Sequence, residues 1–407
     1  MTEFPHLALA LNDTGWHPAS WREPGARADE LFTPGYWADL VGEAERGLLD
    51  LVTFEEGFAQ QSAHPFKPDD RTDQVRGRLD STLIAARMAP LTRHIGLVPT
   101  AVVTHTEPFH LSKAIATLDF VSTGRAGLRV RVSTRPDEAA LFGRREIPAV
   151  SRSGADDHAS ADHGADDRGP LAELFDEARD VVEVVRRLWD SWEDDAEIRD
   201  AATGRFVDRD KLHYIDFAGR EFSVRGPSIT PRPPQGQPLV AALAHRTVAY
   251  RLLARSADLG FVTPFTADDA RTTLAEIRRE QDAAGRAGDI VHVLGDVLVY
   301  LDETESAATK RRQRLDELAG YRPRTDALEF VGTPAKLADL VLGWHAAGLS
   351  GVRLRPAGNA HDLPLITQRL VPELQRRGAF RTGYAADTLR GLFGLERPAN
   401  RYAGAEA

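Results

Sequence analysis

Apolar and polar positions change their period twice between residues 95 and 132, IGLVPTAVVTHTEPFHLSKAIATLDFVSTGRAGLRVRV. Residues 95–103 are β-branched or apolar nearly throughout, as a strand covered on both faces must be. Thr104, His105, Thr106, Glu107 and Pro108 make a polar loop, and 109–120 then places Leu111, Ala114, Ile115 and Leu118 on one helical face. Ser122, Thr123 and Gly124 end that helix, and Leu128, Val130 and Val132 alternate as a second strand. Strand, helix and strand in this order predict a parallel βαβ unit.

The same rhythm extends along the chain. Apolar runs at 7–11, 50–54, 239–243, 260–262 and 351–354 predict strands, while 34–47, 81–89, 181–189 and 248–257 read as helices. Segments 267–284, 290–300, 306–319 and 334–347 continue the alternation. Eight strands fit a (β/α)8 barrel with insertions, and a doubly wound sheet is the other arrangement with this rhythm. One stretch breaks it: 151–169, SRSGADDHASADHGADDRG, has only alanine among its apolar residues and cannot bury a core. It reads as a mobile surface insertion. His158 and His163 with neighbouring aspartates offer metal-ligand chemistry, but no apolar frame to fix a geometry, so no metal site is assigned.

Composition narrows the class. A chain of 407 residues with 42% hydrophobic and 28% charged positions has ample material for a large core. Zero cysteines exclude disulfides, thiolate metal sites and a cysteine nucleophile, and permit a reducing compartment. The opening MTEFPHLALALND lacks the basic segment and long apolar run of a secretory signal, and no span reaches the roughly 20 apolar residues of a membrane helix. A net charge of −10 argues against nucleic acid. The expectation is a cytoplasmic enzyme that acts on a small molecule, away from membranes.

In a barrel the ligand sits where strands end, so the residues to inspect follow each apolar run. Strand one is followed by Asn12, Trp16 and His17; strand two by Glu55 and Glu56; strand three carries Thr100 and leads to Thr104, His105 and Glu107. Strand four brings Arg129, Arg131 and Ser133. Hydroxyls, amides and cations in this combination suit the polar edge of a flavin above an apolar slab. Plainer readings stand beside these. Glu55 and Glu56 could be acids at a helix N-terminus, and His105 or His110 a hydrogen-bonded structural imidazole rather than a proton carrier. Arg129 and Arg131 share a strand face, so inside a barrel they need an anionic ligand or carboxylates such as Glu56. There is no GxSxG, GxxxxGK[ST], HExxH or complete GxGxxG motif.

The motif EPFHLSKAIATLDFVSTGRAG at 107–127 resembles the bacterial luciferase-like flavin monooxygenases, in particular the nitrilotriacetate and dibenzothiophene-sulfone monooxygenase branch. So do LWDSWEDDA at 188–196, HYIDFAGREFSVRGP at 213–227, VPELQRRGAFRTGY at 371–384 and TLRGLFGLERPANRY at 388–402. The resemblance implies one luciferase-type TIM barrel over 1–407, with a structured hairpin insertion at 194–220 and a C-terminal extension at 385–407. It implies a two-component monooxygenase that takes reduced FMN from a separate flavin reductase and uses O2, and a homodimer or homotetramer. Substrates of the family are often amine carboxylates, sulfones or aromatic sulfur and nitrogen compounds, and Arg129 with Arg131 would suit an anionic one.

Residue by residue, the family's flavin-contacting threonine corresponds to Thr100, and its aspartate after the second strand aligns with Glu56. Its asparagine after the Gly-Arg-Ala-Gly turn becomes Arg129, and a later asparagine or tyrosine becomes Leu141. The family's glycine-rich phosphate loop becomes ALAHRTVA at 242–249, leaving Arg246 and Thr247 as the phosphate grip at a helix start. His17 and His105 are the candidate proton handlers. The altered loop leaves two other readings open: a barrel that has lost flavin and acts as a binding or subunit partner, and one that uses a deazaflavin with hydride transfer.

Overall fold

Each apolar run of the chain finds two neighbours running the same way. The computed structural model describes residues 4–63, 68–147 and 169–404. Its main sheet has β1 (His6–Leu11), β2 (Leu51–Phe54), β3 (Gly96–Val102), β4 (Gly127–Arg131), β5 (Leu239–Leu243), β6 (Leu259–Val262), β7 (His292–Leu301), β8 (Leu328–Gly332) and β9 (Gly351–Pro356). The order is β6-β5-β4-β3-β2-β1-β9-β7-β8, and β6 also pairs with β7. Eight parallel strands therefore close a barrel, and β8 lies outside it along the far half of β7. The barrel, not the doubly wound sheet, is the fold.

Helices cover the barrel between the strands: α1 (Pro34–Arg46), α2 (Ser81–Met88), α3 (Pro108–Val121), α4 (Pro136–Phe142), α5 (Pro170–Asp190), α6 (Thr247–Ser256), α7 (Ala267–Ala283), α8 (Glu305–Ala319), α9 (Pro334–Ala346) and α10 (Asn359–Leu365). Local chemistry starts them where the strands stop. Pro34 follows the N-cap Thr33, the Asp80 carboxylate accepts the Leu83 N–H at 2.8 Å, and Thr266 with Asp269 forms a capping box at α7. Helix α5 begins well before the 181–189 segment read from sequence, because its first turns are amphipathic and partly exposed.

Alternation along each strand sorts the side chains into two shells. Leu7, Leu9, Leu11, Leu128, Val130, Val352 and Leu354 point outward into the layer beneath the helices. Ala8, Leu51, Val98, Leu239, Leu259, Phe261 and Leu294 fill the N-terminal half of the barrel, where Leu389, Leu392 and Phe393 of the C-terminal extension plug its end. Gly351 permits the close β1–β9 approach, since a Cβ there would lie 2.0 Å from the His6 carbonyl oxygen. Within 194–220 and just beyond it, Glu197–Asp200 pairs with Arg205–Val207 and Phe217–Ala218 with Ser223–Val224. The 151–169 stretch lies, apart from Gly169, outside the described residues. Among the described residues no helix is long and apolar enough to cross a membrane, and no acid or histidine cluster could hold a metal ion.

Candidate active site

Above the apolar half, the barrel interior turns ionic. Arg129 of β4 points inward and is buried, its Nη1 donating to the Glu55 carboxylate and, at 3.1 Å, to the Thr100 hydroxyl that faces it across the β3–β4 register. The partner is Glu55 rather than Glu56, because the alternation of β2 carries Thr53 and Glu55 inward. Burial disfavours the Glu55 carboxylate, yet Arg129 and Arg353 outweigh it and hold the pKa down to about 2.

The opposite wall is built from β7 and β9. Asp296 accepts from Arg353 Nε at 2.8 Å and Nη2 at 2.5 Å, and from Arg355 Nε at 2.8 Å. Arg355 Nη1 reaches Asp326 at 2.6 Å, and Arg353 Nη1 reaches the Thr53 hydroxyl at 3.2 Å. The guanidinium of Arg355 stacks 4.6 Å from the Trp16 ring centroid, and that of Arg353 lies 4.1 Å from Phe261. Charges this deep are tolerated because each has opposite charge and hydrogen bonds at hand. Sequence reading does not single out Asp296, Asp326, Arg353 or Arg355. The signal is present: RLR in β9 repeats the Arg-apolar-Arg alternation of RVR in β4, and Asp296 interrupts an apolar run.

At the mouth, Glu56 turns away from the barrel axis. Its carboxylate takes the Ser81 N–H at 2.8 Å and the Gly57 N–H at 3.0 Å, so it satisfies the start of α2, while the Ser81 hydroxyl donates to the Thr100 carbonyl at 2.7 Å. Burial, aided by Asp80, raises the Glu56 pKa against these bonds. Arg131 Nη1 donates to the Glu56 carbonyl. His105 follows β3 and stacks on Phe142 of α4, ring centroids 4.9 Å apart, with Phe58 edge-on to both. Three buried atoms here have no hydrogen-bond partner among the described residues: Arg129 Nε, His105 Nε2 and Glu138 Oε2. Unsatisfied polar atoms are costly when buried; others occur elsewhere, His6 Nε2, His292 Nε2 and Arg381 Nε at the far end of the barrel among them, and the three at the mouth are the ones a ligand at the strand ends could satisfy.

The remaining candidates lie around the rim. His17 is buried with both ring nitrogens engaged: Nδ1 accepts the Ala19 N–H at 3.1 Å and Nε2 donates to Asp316 of α8 at 3.3 Å. Burial lowers its pKa despite Asp316, leaving a neutral imidazole that anchors the first loop. Arg246 is the N-cap residue of α6, its carbonyl accepting from Ala249 and Tyr250 at 3.0 Å. The Thr247 hydroxyl donates to Glu276 of α7 at 2.8 Å. Burial opposes the Asp326 carboxylate, but Arg355, with a smaller contribution from His245 just before Arg246, holds its pKa well below the usual carboxylate range. The structure thus brings Thr100 and Arg129 into contact, links Glu56 to Thr100 through Ser81, sets His105 against Phe58 and Phe142, and leaves His17 with both ring nitrogens engaged.

A closed parallel barrel with a polar, partly unsatisfied mouth at its C-terminal end is the frame of an α/β-barrel enzyme. The family model of the luciferase-like monooxygenases matches residues 13–338, and the chain belongs to that family. It is therefore an enzyme of the oxidoreductase class. N-acetyl-S-(2-succino)cysteine monooxygenase of Bacillus subtilis is 29% identical, over 98% of this chain and 98% of that protein. Nitrilotriacetate monooxygenase component A of Aminobacter aminovorans is 30% identical over the same shares, in keeping with the branch its motifs resemble. The crystal structure of the long-chain alkane monooxygenase LadA superposes with a TM-score of 0.82 at 23% identity, covering 97% of this chain and 96% of that one.

Proposed function

We propose that the protein is the oxygenating component of a two-component monooxygenase, taking reduced FMN from a separate flavin reductase and using O2 to oxidise a small organic substrate containing sulfur or nitrogen. The observation that carries this reading is Arg129: its guanidinium is fixed by Glu55 and Thr100, yet Nε is buried and unpartnered at the strand ends. A fixed cation with one open N–H fits the electron-rich edge of a reduced flavin ring. Family membership and the similarity to a monooxygenase component A support the two-component arrangement.

Thr100 and Arg129 would hold the ring, with Glu56 expected from sequence but turned to the start of α2, and Arg246 with Thr247 at the start of α6 would hold the phosphate. Bound reduced FMN supplies the electrons and the activation of O2. The chain supplies placement and dryness: Phe58 and Phe142 wall the mouth against water, and the internal ion pairs keep Arg129 from moving. His105, with Nε2 open and its pKa lowered by burial, is the imidazole available to take a proton there. His17 has no nitrogen left for that task.

Titration with reduced FMN under anaerobic conditions, followed by absorbance, tests the reading with Arg246→Ala alongside. Saturable binding that weakens roughly tenfold in the variant is expected, the order of one charge-assisted contact. No binding of reduced or oxidised FMN would overturn it, and binding of a deazaflavin in its place, without O2 consumption, would replace the oxygenase with a hydride-transfer enzyme.

A further inference from the structure

The arginines around the mouth each already donate within the chain. Arg129 holds Glu55 and Thr100, Arg131 donates to the Glu56 carbonyl, and Arg78 donates to Asn12 Oδ1 at 2.9 Å. Arg145 is bound to Glu177 at 2.8 Å and to the Thr104 carbonyl at 2.7 Å. Besides the Arg129 N–H that the flavin edge would take, what stays open is an acceptor. Glu138 on α4 is only 2% exposed; its Oε1 takes the Ala59 N–H at 3.2 Å, and Oε2 has no partner among the described residues.

Rings stand next to this carboxylate. His105 lies parallel to Phe142, with 11° between the planes, and Phe58 meets Phe142 edge-on at 4.7 Å. His105 Nε2 is a second open atom, in a residue 9% exposed. Burial and Arg145 lower the His105 pKa, while Glu138 pulls it upward, so the charge of Glu138 reaches the ring. A buried carboxylate oxygen without a hydrogen-bond donor is costly, and a ligand N–H would remove the cost, whereas a ligand carboxylate would add repulsion to Glu138 at low dielectric.

We infer that Phe58, His105, Glu138 and Phe142 form the organic-substrate subsite, built for a flat, uncharged ring bearing an N–H donor that Glu138 accepts. This rests on the monooxygenase reading and reverses the anionic substrate that Arg129 and Arg131 suggest from sequence. Glu138 orients the ring, and the half-buried cluster of Phe58, His105 and Phe142 packs against one side of it.

Isothermal titration of the full chain with indole, 1-methylindole and indole-3-carboxylate, with FMN present and repeated without it, tests the subsite. Indole should bind about tenfold tighter than 1-methylindole, the size of one hydrogen bond to a charged group, and the carboxylate should bind weakest. Glu138→Gln keeps an acceptor for Ala59 and should cut the indole preference below about threefold; Phe142→Leu should weaken indole and 1-methylindole alike. Equal binding of indole and 1-methylindole, tightest binding of the carboxylate, or no binding of any probe at millimolar concentration overturns the inference. FMN titrated into the same proteins separates the two readings. Retained FMN binding without probe discrimination sinks the subsite alone, and lost FMN binding by the unaltered chain sinks the monooxygenase reading.

Discussion

Arg353 and Asp296 meet inside the barrel as a forked ion pair, opposite one another in the register of β9 and β7, with both side chains fully buried. Asp296 also binds Arg355, so one carboxylate serves two guanidinium groups at the level where the apolar plug ends. Glu55, 3.6 Å from Arg353, links this wall to Arg129 on the other. The ring end of the proposed flavin site therefore rests on an internal salt network that ties four strands together.

Asp296→Asn keeps the shape and removes the charge, leaving Arg353 and Arg355 buried around a neutral group. Breaking a buried pair in this way costs about 3–5 kcal/mol. The urea midpoint should fall accordingly with the slope unchanged. A variant as stable as the parent would show that water already solvates these arginines.

Glu55 gives a pH dependence of definite sign. Its pKa falls from an ordinary 4.5 to about 2 on folding, because Arg129 and Arg353 outweigh the cost of burial. The unfolded chain then binds the proton first as pH drops. The stabilisation is present above pH 4.5 and is lost between 4.5 and about 2, up to about 3 kcal/mol. Glu55→Gln should lower stability at neutral pH and flatten the stability curve across that window; an unchanged slope would assign the acid loss to other carboxylates.

The barrel was legible because parallel strands buried on both faces read as apolar runs that alternate with helical segments. Strand β8, LEFVG, escaped: it lies along one edge, half-exposed, with a glutamate as its second residue. Within the site, the inward face of Arg129 follows from alternation alone, since Leu128 and Val130 must face the helices. Its partner does not, because Glu55 and Glu56 differ by one residue and only the pleat of β2 decides which enters. The Asp296 network joins residues 57 and 59 positions apart, and Glu138 reaches Ala59 from a helix 79 positions away. No local pattern encodes such pairings; closure of the barrel creates them.

Thr100 is predicted to act through Arg129. In Thr100→Val the hydroxyl that accepts from Nη1 at 3.1 Å is replaced by a methyl group of similar size, and the guanidinium is free to swing toward Glu55 alone. Stability should fall by about 1–2 kcal/mol, and reduced-FMN affinity by roughly tenfold, through lost placement of the cation. Unchanged affinity would remove Thr100 and its hold on Arg129 from the flavin site.

Phe393 seals the opposite end of the barrel, stacked on His6 at 4.1 Å and 5.2 Å from the His292 ring. Burial, helped by neighbouring His6, drives the His292 pKa from an ordinary 6.5 down to about 4. Between those values the unfolded chain holds a proton that the folded chain refuses, so stability declines as pH falls from 6.5 to about 4 and this contribution levels off below. Phe393→Ala opens the plug: a buried phenylalanine lost to alanine costs about 3–5 kcal/mol, and water reaching the imidazole moves its pKa back toward 6.5. Imidazole titration by NMR on both proteins reads the shift directly. An unmoved His292 in the variant would mean that the barrel floor, not the C-terminal extension, keeps it dry.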